Sequence, residues 1–402
     1  MSTLKESLSG NLRQYGIMAA LLAVVVVFGI MTGGKLLFPD NVADLVRQNA
    51  YVLILAIGMV MVIVAGHIDL SVGSLVAFIG GVLGWAMYYW NWPWPLAVLL
   101  ALAIGAAVGV WHGFWIAYVR IPAFIVTLAG MLIFRGLAII IAGVTMAGFD
   151  SGFVYVAAGS IPNFFSRLGP LPFTFGSNQP VALDLVTVLI GVIGIAGLIW
   201  SQIRARASQE KHGVVPESMG LFVGKTVVTV FAILALVFLL AASSGGSPVV
   251  LIIVGVLIAV YSFVLNRTVF GRHVYAVGGN LNAAILSGIN TARTNFFIFL
   301  HMGLLSAVAA IVVTSRAGAA TSTAGQSYEL DAIAACFIGG TAVTGGIGRI
   351  SGAMVGALIM GVINMGSSIY GIAPAWQQVV KGLVLLAAVA FDLLSKRRAK
   401  VN

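Results

Sequence analysis

Twelve apolar runs decide what this chain can become. They lie near 15–33, 48–66, 70–90, 95–118, 122–144, 181–203, 225–242, 247–266, 293–315, 328–346, 350–371 and 375–394. At roughly 16–24 residues, each is long enough to cross the hydrocarbon layer of a bilayer as a helix. A soluble protein has no use for apolar sequence spread so evenly. The chain is 60% hydrophobic and 8% charged, whereas a soluble domain is about 25% charged. The runs are continuous rather than alternating, which argues against a transmembrane barrel. The expected fold is an all-α, polytopic transmembrane helical bundle of about 10–12 spans.

Charge gives the runs a direction. With the N-terminus in the cytoplasm and the spans alternating, only Lys35, Arg47, Arg167 and Arg316 of the 21 Lys and Arg fall outside. Arg135 and Lys381 fall within spans, and the rest lie inside, including Lys5, Arg13 and the closing Lys396–Lys400 run. This asymmetry predicts cytoplasmic N- and C-termini. It also explains a net charge of +10 without a nucleic-acid partner. The partner that the basic ends fit is the lipid headgroup. The first run shows no cleavage site and reads as a retained helix. Cys336 is the single cysteine, so no internal disulfide can form.

Residues 66–74, Gly-His-Ile-Asp-Leu-Ser-Val-Gly-Ser, interrupt what would otherwise be one apolar stretch. Aspartate at mid-helix in lipid costs roughly 2.5–3.5 kcal/mol on insertion scales. Gly66 and Gly73 permit a break, and Asp69 can then accept N–H bonds from a helix beginning near Ser71. One helix is expected to end near Ala65 and the next to begin near Leu70. The plain reading is a capped cytoplasmic turn, and the functional one is a gate in a polar pathway. Glu329 and Asp331 invite the same two readings.

Catalytic and cofactor chemistry has no candidate constellation. Gly-Leu-Phe-Val-Gly-Lys-Thr (220–226) resembles a phosphate loop, but three residues separate its glycines where the motif needs four, and it opens a membrane span. The histidines (67, 112, 212, 273 and 301) show no metal-ligand spacing. The chain is therefore read as no enzyme, with no cofactor or metal of its own. Arg135 reads as a residue near an interface that snorkels, or either Arg135 or Lys381 as paired with a helix end; the other reading makes both functional intramembrane charges. Glycines at 105, 109 and 113, and at 352 and 356, have the spacing of close helix contacts.

The chain also shows the pattern of an inverted internal repeat. Asp-Leu-Ser-Val-Gly-Ser-Leu-Val-Ala-Phe-Ile-Gly-Gly (69–81) parallels Glu-Leu-Asp-Ala-Ile-Ala-Ala-Cys-Phe-Ile-Gly-Gly (329–340). Tyr-Val-Arg-Ile-Pro-Ala-Phe (118–124) parallels Tyr-Gly-Ile-Ala-Pro-Ala-Trp (370–376). Alternation of the spans puts the copies in opposite orientations, as in many transporters. The match is short and off by one residue, so coincidence of composition is the competing reading.

The inner loop 271–295 is too polar to span. Residues 280–289 predict a short helix with Asn280 as N-cap and Gly288 just past its end. Ala283, Ala284 and Ser287 form a small-residue face, and Leu281, Ile285 and Ile289 are apolar. Such a helix reads as a docking site for a partner. The alternative is a helix lying on the bilayer.

These stretches carry a resemblance. The loop Gly-Arg-His-Val-Tyr-Ala-Val-Gly-Gly-Asn-Leu-Asn-Ala-Ala-Ile-Leu-Ser-Gly-Ile resembles the coupling segment of bacterial ABC importer permeases for monosaccharides. Residues 66–74, 122–137 and 329–341 resemble that family's other signatures, and the likeness extends over nearly the whole chain. The xylose and multiple-sugar branch is the most similar. The resemblance implies one transmembrane permease domain over 1–402, with a first repeat at about 48–144, an extra hairpin at about 181–242, a coupling segment at 267–292 and a second repeat at about 293–395. It implies docking of an ATP-binding subunit through Gly278, Gly279, Asn280, Asn282, Ala283, Ala284, Ser287, Gly288 and Ile289. Asn282 departs from the acidic residue that relatives often carry. A translocation path or gate would draw on Asp69, Ser71, Ser74, Thr127, Glu329, Asp331 and Asn364. A second copy of the chain, ATP-binding cassette subunits holding ATP and Mg, and a periplasmic sugar-binding protein complete the implied importer in the bacterial inner membrane. The alternative function is a secondary sugar transporter driven by ions or protons.

Overall fold

The computed structural model describes residues 2–165, 167–171, 174, 181–213 and 218–401, with side chains described within 16–390. The basic ends Lys5, Arg13 and 396–400 lie outside the described side chains. Among the described residues the chain is almost wholly helical: α1 (Ser2–Met31), α2 (Pro39–Val64), α3 (Val72–Tyr88), α4 (Trp94–Ala117), α5 (Ala123–Ile141), α6 (Ser151–Ala158), α7 (Leu185–Lys211), α8 (Met219–Ala242), α9 (Val250–Arg267), α10 (Val269–Gly279), α11 (Leu281–Leu286), α12 (Thr291–Ala317), α13 (Tyr328–Ile338), α14 (Ile350–Tyr370) and α15 (Pro374–Val401). One two-stranded ladder joins β1 (Met146–Ala147) antiparallel to β2 (Ala319–Ala320), pairing Met146 with Ala320.

Local chemistry sets the helix ends. Proline opens α2 and α15 and stands at or beside the starts of α4 and α5, where its missing N–H costs nothing. Asp150, Asp184, Asn280 and Asn290 accept backbone N–H bonds at the starts of α6, α7, α11 and α12. Gly66, Gly288, Gly318 and Gly371, all at positive φ, close α2, α11, α12 and α14.

Among the described residues eight helices are long and apolar enough to cross a membrane, and Gly16–Met31, Val72–Tyr88 and Pro374–Ala390 are shorter apolar stretches. The chain is a multi-pass membrane protein. One expected span is corrected: within 328–346 only the 11 residues of α13 are helical, about 16 Å of rise. The remainder turns back through Gly340, Gly345 and Gly346, all at positive φ.

Backbone contacts divide the chain into two units: Met1–Leu12, Thr32–Asp44 and Ser160–Pro248; and Arg13–Met31, Leu45–Gly159 and Val249–Asn402. In the first, α7 and α8 form a hairpin in which Gly191 faces Val237, and Thr226 donates to Gln202 at 2.6 Å. Asp184, buried at the head of α7, accepts from the N–H and hydroxyl of Thr187. In the second unit α12 packs along α4. A Cβ on Gly105 would come within 2.6 Å of the Gly303 carbonyl oxygen, and one on Gly109 within 2.7 Å of that of Phe299. Gly113 meets Phe296 in the same row, while Gly352 and Gly356 meet Gly339 and Ala335. The glycines spaced by four are close backbone contacts.

Within the second unit one element order occurs twice. A long helix leads through a non-helical break into a shorter helix and then two more: α2, α3, α4, α5, and α12, α13, α14, α15. The long helices exchange partners. α12 packs on α3 and α4, while Tyr51, Ala56 and Asn49 of α2 bond or face Asp331, Cys336 and Gly361 of α13 and α14.

Candidate functional site

The first break begins at Val64. Gly66 N–H bonds the Ile63 carbonyl at 2.9 Å and His67 N–H bonds that of Val62 at 3.0 Å, the double closure that a left-handed glycine permits. The chain then doubles back, non-helical, through 67–71. Asp69, 2% exposed, accepts from the Ser71 N–H at 2.8 Å and the Ser71 hydroxyl at 2.6 Å. Helix α3 begins at Val72, later than the sequence suggests, so Asp69 holds the turn before the helix and not its first N–H groups. Ser74 donates to the Ser71 carbonyl at 2.8 Å, and Thr127 to that of Ile68 at 3.2 Å. Ser71, Ser74 and Thr127 are all buried.

The second break follows α12. Beyond the β1–β2 ladder, 321–327 turns back toward the bundle with Gly325 and Ser327 at positive φ. Its carbonyls face a single remote cation. Arg135 of α5 donates to Ser322 at 3.1 Å, Ala324 at 2.9 Å and Gly325 at 3.1 Å. Arg135 is therefore no snorkelling residue. It is turned inward, satisfying backbone that lipid would leave bare.

The second break meets the first turn of α3, just past the first break. A Cβ on Gly325 would collide with the Gly73 carbonyl oxygen, and one on Gly73 with the Glu329 carboxylate and the Gly325 carbonyl. Helix α5 serves as a ruler of depth. Thr127, its fifth residue, touches the first break, and Arg135, its thirteenth of 19, holds the second. At 1.5 Å per residue the two lie about 6 and 18 Å along a helix of about 28 Å. The crossing of Gly73 and Gly325 thus falls near the middle of the bundle, with Glu329 beside it.

Not every expected residue joins that crossing. Asp331, 1% exposed, accepts from the Tyr51 hydroxyl at 2.7 Å and lies 3.0 Å from the Lys381 ammonium. Tyr51 stacks on Tyr328 with ring centroids 3.6 Å apart. Lys381 therefore ties α15 to the first turn of α13, the helix-end pairing expected of it. Asn364 donates to Asn49 at 3.3 Å, joining α14 to α2. Among the described residues, no group of His, Cys, Asp and Glu could hold a metal ion.

The segment α10–α11 has the expected caps. Asn280 Oδ1 accepts from Ala283 N–H at 3.0 Å, and Ile289 N–H reaches the Ala284 carbonyl at 3.1 Å past Gly288. Its exposed face differs from the expected one. Ala284 is 3% exposed and points inward, so it is no contact for a partner, whereas Leu281, Ile285 and Leu286 are 49%, 52% and 88% exposed. Asn282, Ala283, Ser287 and Gly288 are also exposed. Gly279 has open space around it, whereas a Cβ on Gly278 would press on the Val64 carbonyl. Tyr275 donates to the Gly348 carbonyl at 2.7 Å, and burial pushes its phenol pKa up, so it stays a donor.

Sequence reasoning missed the carbonyl clamp of Arg135, the meeting of Gly73 with Gly325, and the role of Gly345 and Gly346. The signals were present but unpaired: an arginine inside an apolar run, and glycines at 325, 339–340 and 345–346 around one acidic helix start.

Comparison with known proteins agrees with this architecture. The chain is 39% identical over 389 residues to the xylose transport system permease protein of Escherichia coli strain K12, covering 97% of this chain and 94% of that protein. It is 36% identical over 393 residues to the Haemophilus influenzae protein of the same name, covering 97% and 98%. The ribose import permease protein of Bacillus subtilis strain 168 is 32% identical over 383 residues, covering 95% and 94%. No solved structure matches significantly. Residues 41–389 match the family described as "Branched-chain amino acid transport system / permease component". With that match over most of its length, and with relatives that are transport components rather than enzymes, the chain belongs to this permease family.

Proposed function

We propose that this chain is the membrane-spanning permease subunit of an ATP-driven importer that carries a monosaccharide, xylose or a related pentose or hexose, across the bacterial inner membrane. The observation that carries the reading is 36–39% identity to xylose permeases over nearly the whole chain. The permease acts as a homodimer, with the sugar path between the copies. Two ATP-binding subunits hold ATP and Mg and dock on α11 through Leu281, Ile285 and Leu286, flanked by Gly279, Asn280, Asn282, Ala283, Ser287 and Gly288, with Ile289 at its rear. A periplasmic sugar-binding protein delivers the substrate. Both termini and α10–α11 face the cytoplasm.

The crossing of the breaks is the gate. Broken backbone is tolerated in a membrane only where protein or a polar cavity lines it. Ser74 and Thr127 are spent on backbone carbonyls of the first break and Ser71 on the Asp69 carboxylate, so they shape the path by holding its wall. Asp69 and Glu329 sit where the two halves meet, and Asp331 and Asn364 fix α13 and α14 to α2. ATP-driven closure of the docked subunits moves α10–α11 and biases this element between inward- and outward-facing arrangements. The relatives are transport system permeases, which favours this reading over the ion- or proton-coupled alternative.

The test is uptake of labelled xylose into proteoliposomes holding the chain, its co-purified partners and the binding protein, with ATP inside. Uptake that requires ATP and survives an uncoupler is expected. Uptake abolished by the uncoupler while ATP is maintained would instead support the ion-coupled carrier. Leu286→Arg is expected to abolish partner binding while leaving the permease folded, because the side chain is 88% exposed.

A further inference from the structure

Three chain segments meet at one carbonyl in the second unit. Val64, the last residue of α2, stands one residue before the turn into the first break. Its carbonyl would lack an intrahelical partner, as the last carbonyls of any helix do. It accepts instead from the N–H of Gly346 at 2.8 Å, in the loop that follows α13. The third segment is the end of α10: a Cβ on Gly278 would overlap that same oxygen, and it would stand 2.9 Å from the Gly346 nitrogen.

The junction leaves no room for side chains. Gly345 and Gly346 follow one another at φ +79° and +72°, a pairing that other residues adopt only with strain. A Cβ on Gly345 would lie 2.9 Å from the Gly278 oxygen and 3.1 Å from that of Val64. One on Gly346 would lie 2.8 Å from the Gly279 Cα. The loop is closed on itself by Ala342 N–H to the Ile347 carbonyl at 2.8 Å, and it is tied to α10 by Tyr275 to the Gly348 carbonyl at 2.7 Å. Backbone pressed on backbone is stiff, because there is no rotamer through which a displacement can be absorbed.

We propose that Val64, Gly278 and Gly346, secured by Tyr275, form a rigid joint through which displacement of α10–α11 reaches both breaks at once. The proposal rests on the docking reading above. These are positioning residues. From the joint the chain runs five residues along 64–69 to Asp69 and eight back along 346–338 to the end of α13. A partner pushing on one short segment thereby moves the two strands of the crossing together, whereas a push on either break alone would have to shear Gly73 past Gly325.

The experiment uses the full transporter purified with its ATP-binding subunits and reconstituted with its binding protein. For Gly346→Ala and Tyr275→Phe it records subunit association, ATP hydrolysis and sugar uptake. Gly346→Ala is expected to retain the subunits and to hydrolyse ATP, while sugar taken up per ATP falls about tenfold or more. Tyr275→Phe, which removes one hydrogen bond and keeps the ring, is expected to lower the same ratio about fivefold. Native stoichiometry in both single variants would overturn the joint. Association, hydrolysis and uptake that all fall together with abundance would reduce the joint to a folding role and overturn it too. A native chain that recruits no ATP-hydrolysing subunit would overturn the docking reading, and the joint with it.

Discussion

The two breaks solve one problem in opposite ways. Both leave backbone groups without helical partners inside an apolar bundle, where each unsatisfied group is costly. The break at 65–71 is satisfied largely from close by. Gly66 closes α2, Asp69 binds Ser71 two residues on, and Ser74 returns to the Ser71 carbonyl. The break at 318–327 relies on an arginine nearly two hundred residues away in sequence, with Arg135 gathering three carbonyls in succession. Local satisfaction depends on short side chains whose partners are fixed by chain geometry. Remote satisfaction depends on a second helix being in place, so the second break relies on the packing of α5. The difference makes the first break the intrinsic turn and the second the conditional one.

Removing the remote clamp should have the largest effect. Arg135→Met strips the donor from three carbonyls and is expected to cost roughly 4 kcal/mol, since hydrogen bonds from charged groups and the groups left bare both weigh heavily. Thermal unfolding in detergent would record it, and Arg135→Lys should recover only part, because one ammonium cannot reproduce a planar fork. Equal stability of Arg135→Met and the native chain would erase the contrast between the breaks.

The helix that the second break leads into has its own remote tie. Lys381→Met leaves the Asp331 carboxylate buried with only Tyr51 and should destabilise by about 3 kcal/mol. Adding Asp331→Asn should restore most of that loss, and a double-mutant cycle in thermal stability measures the coupling. Additive losses would show that the pair contributes nothing to holding α13.

Closer to the crossing, Gly325→Ala introduces a Cβ at φ +69° against the Gly73 carbonyl. The expected cost is about 2–3 kcal/mol, with uptake lost even where folded protein remains. The smallest effect belongs to the locally built break. Asp69→Asn keeps an oxygen for Ser71 and should cost only about 1 kcal/mol in the same unfolding assay. A loss as large as that of Arg135→Met would mean that the Asp69 charge acts beyond its own turn.

Much of this was legible along the chain. The apolar runs located the helices, the glycine–aspartate stretch located the first break within a few residues, and Asn280 and Gly288 located the short helix of the docking segment. These depend on periodicity and on caps that lie within a turn of the helix they serve. Arg135 and Lys381 were visible only as charges in the wrong solvent, because their partners at 322–325 and 331 lie far away in sequence. Ala284 looked as exposed as Ala283, since a six-residue helix carries too little pattern to tell its faces apart.

By itself the sequence determined that the chain crosses a membrane repeatedly as helices, that at least one helix is broken, and that Asn280 and Gly288 bound the short helix of the inner loop. Those outcomes follow from apolar length and from hydrogen bonds spanning a few residues. Only the tertiary structure decided that 318–327 folds back to meet the first turn of α3, that Gly73 and Gly325 touch, and that Val64, Gly278 and Gly346 converge. Such contacts depend on how closely two backbones approach, and a glycine in a sequence does not say what comes near it.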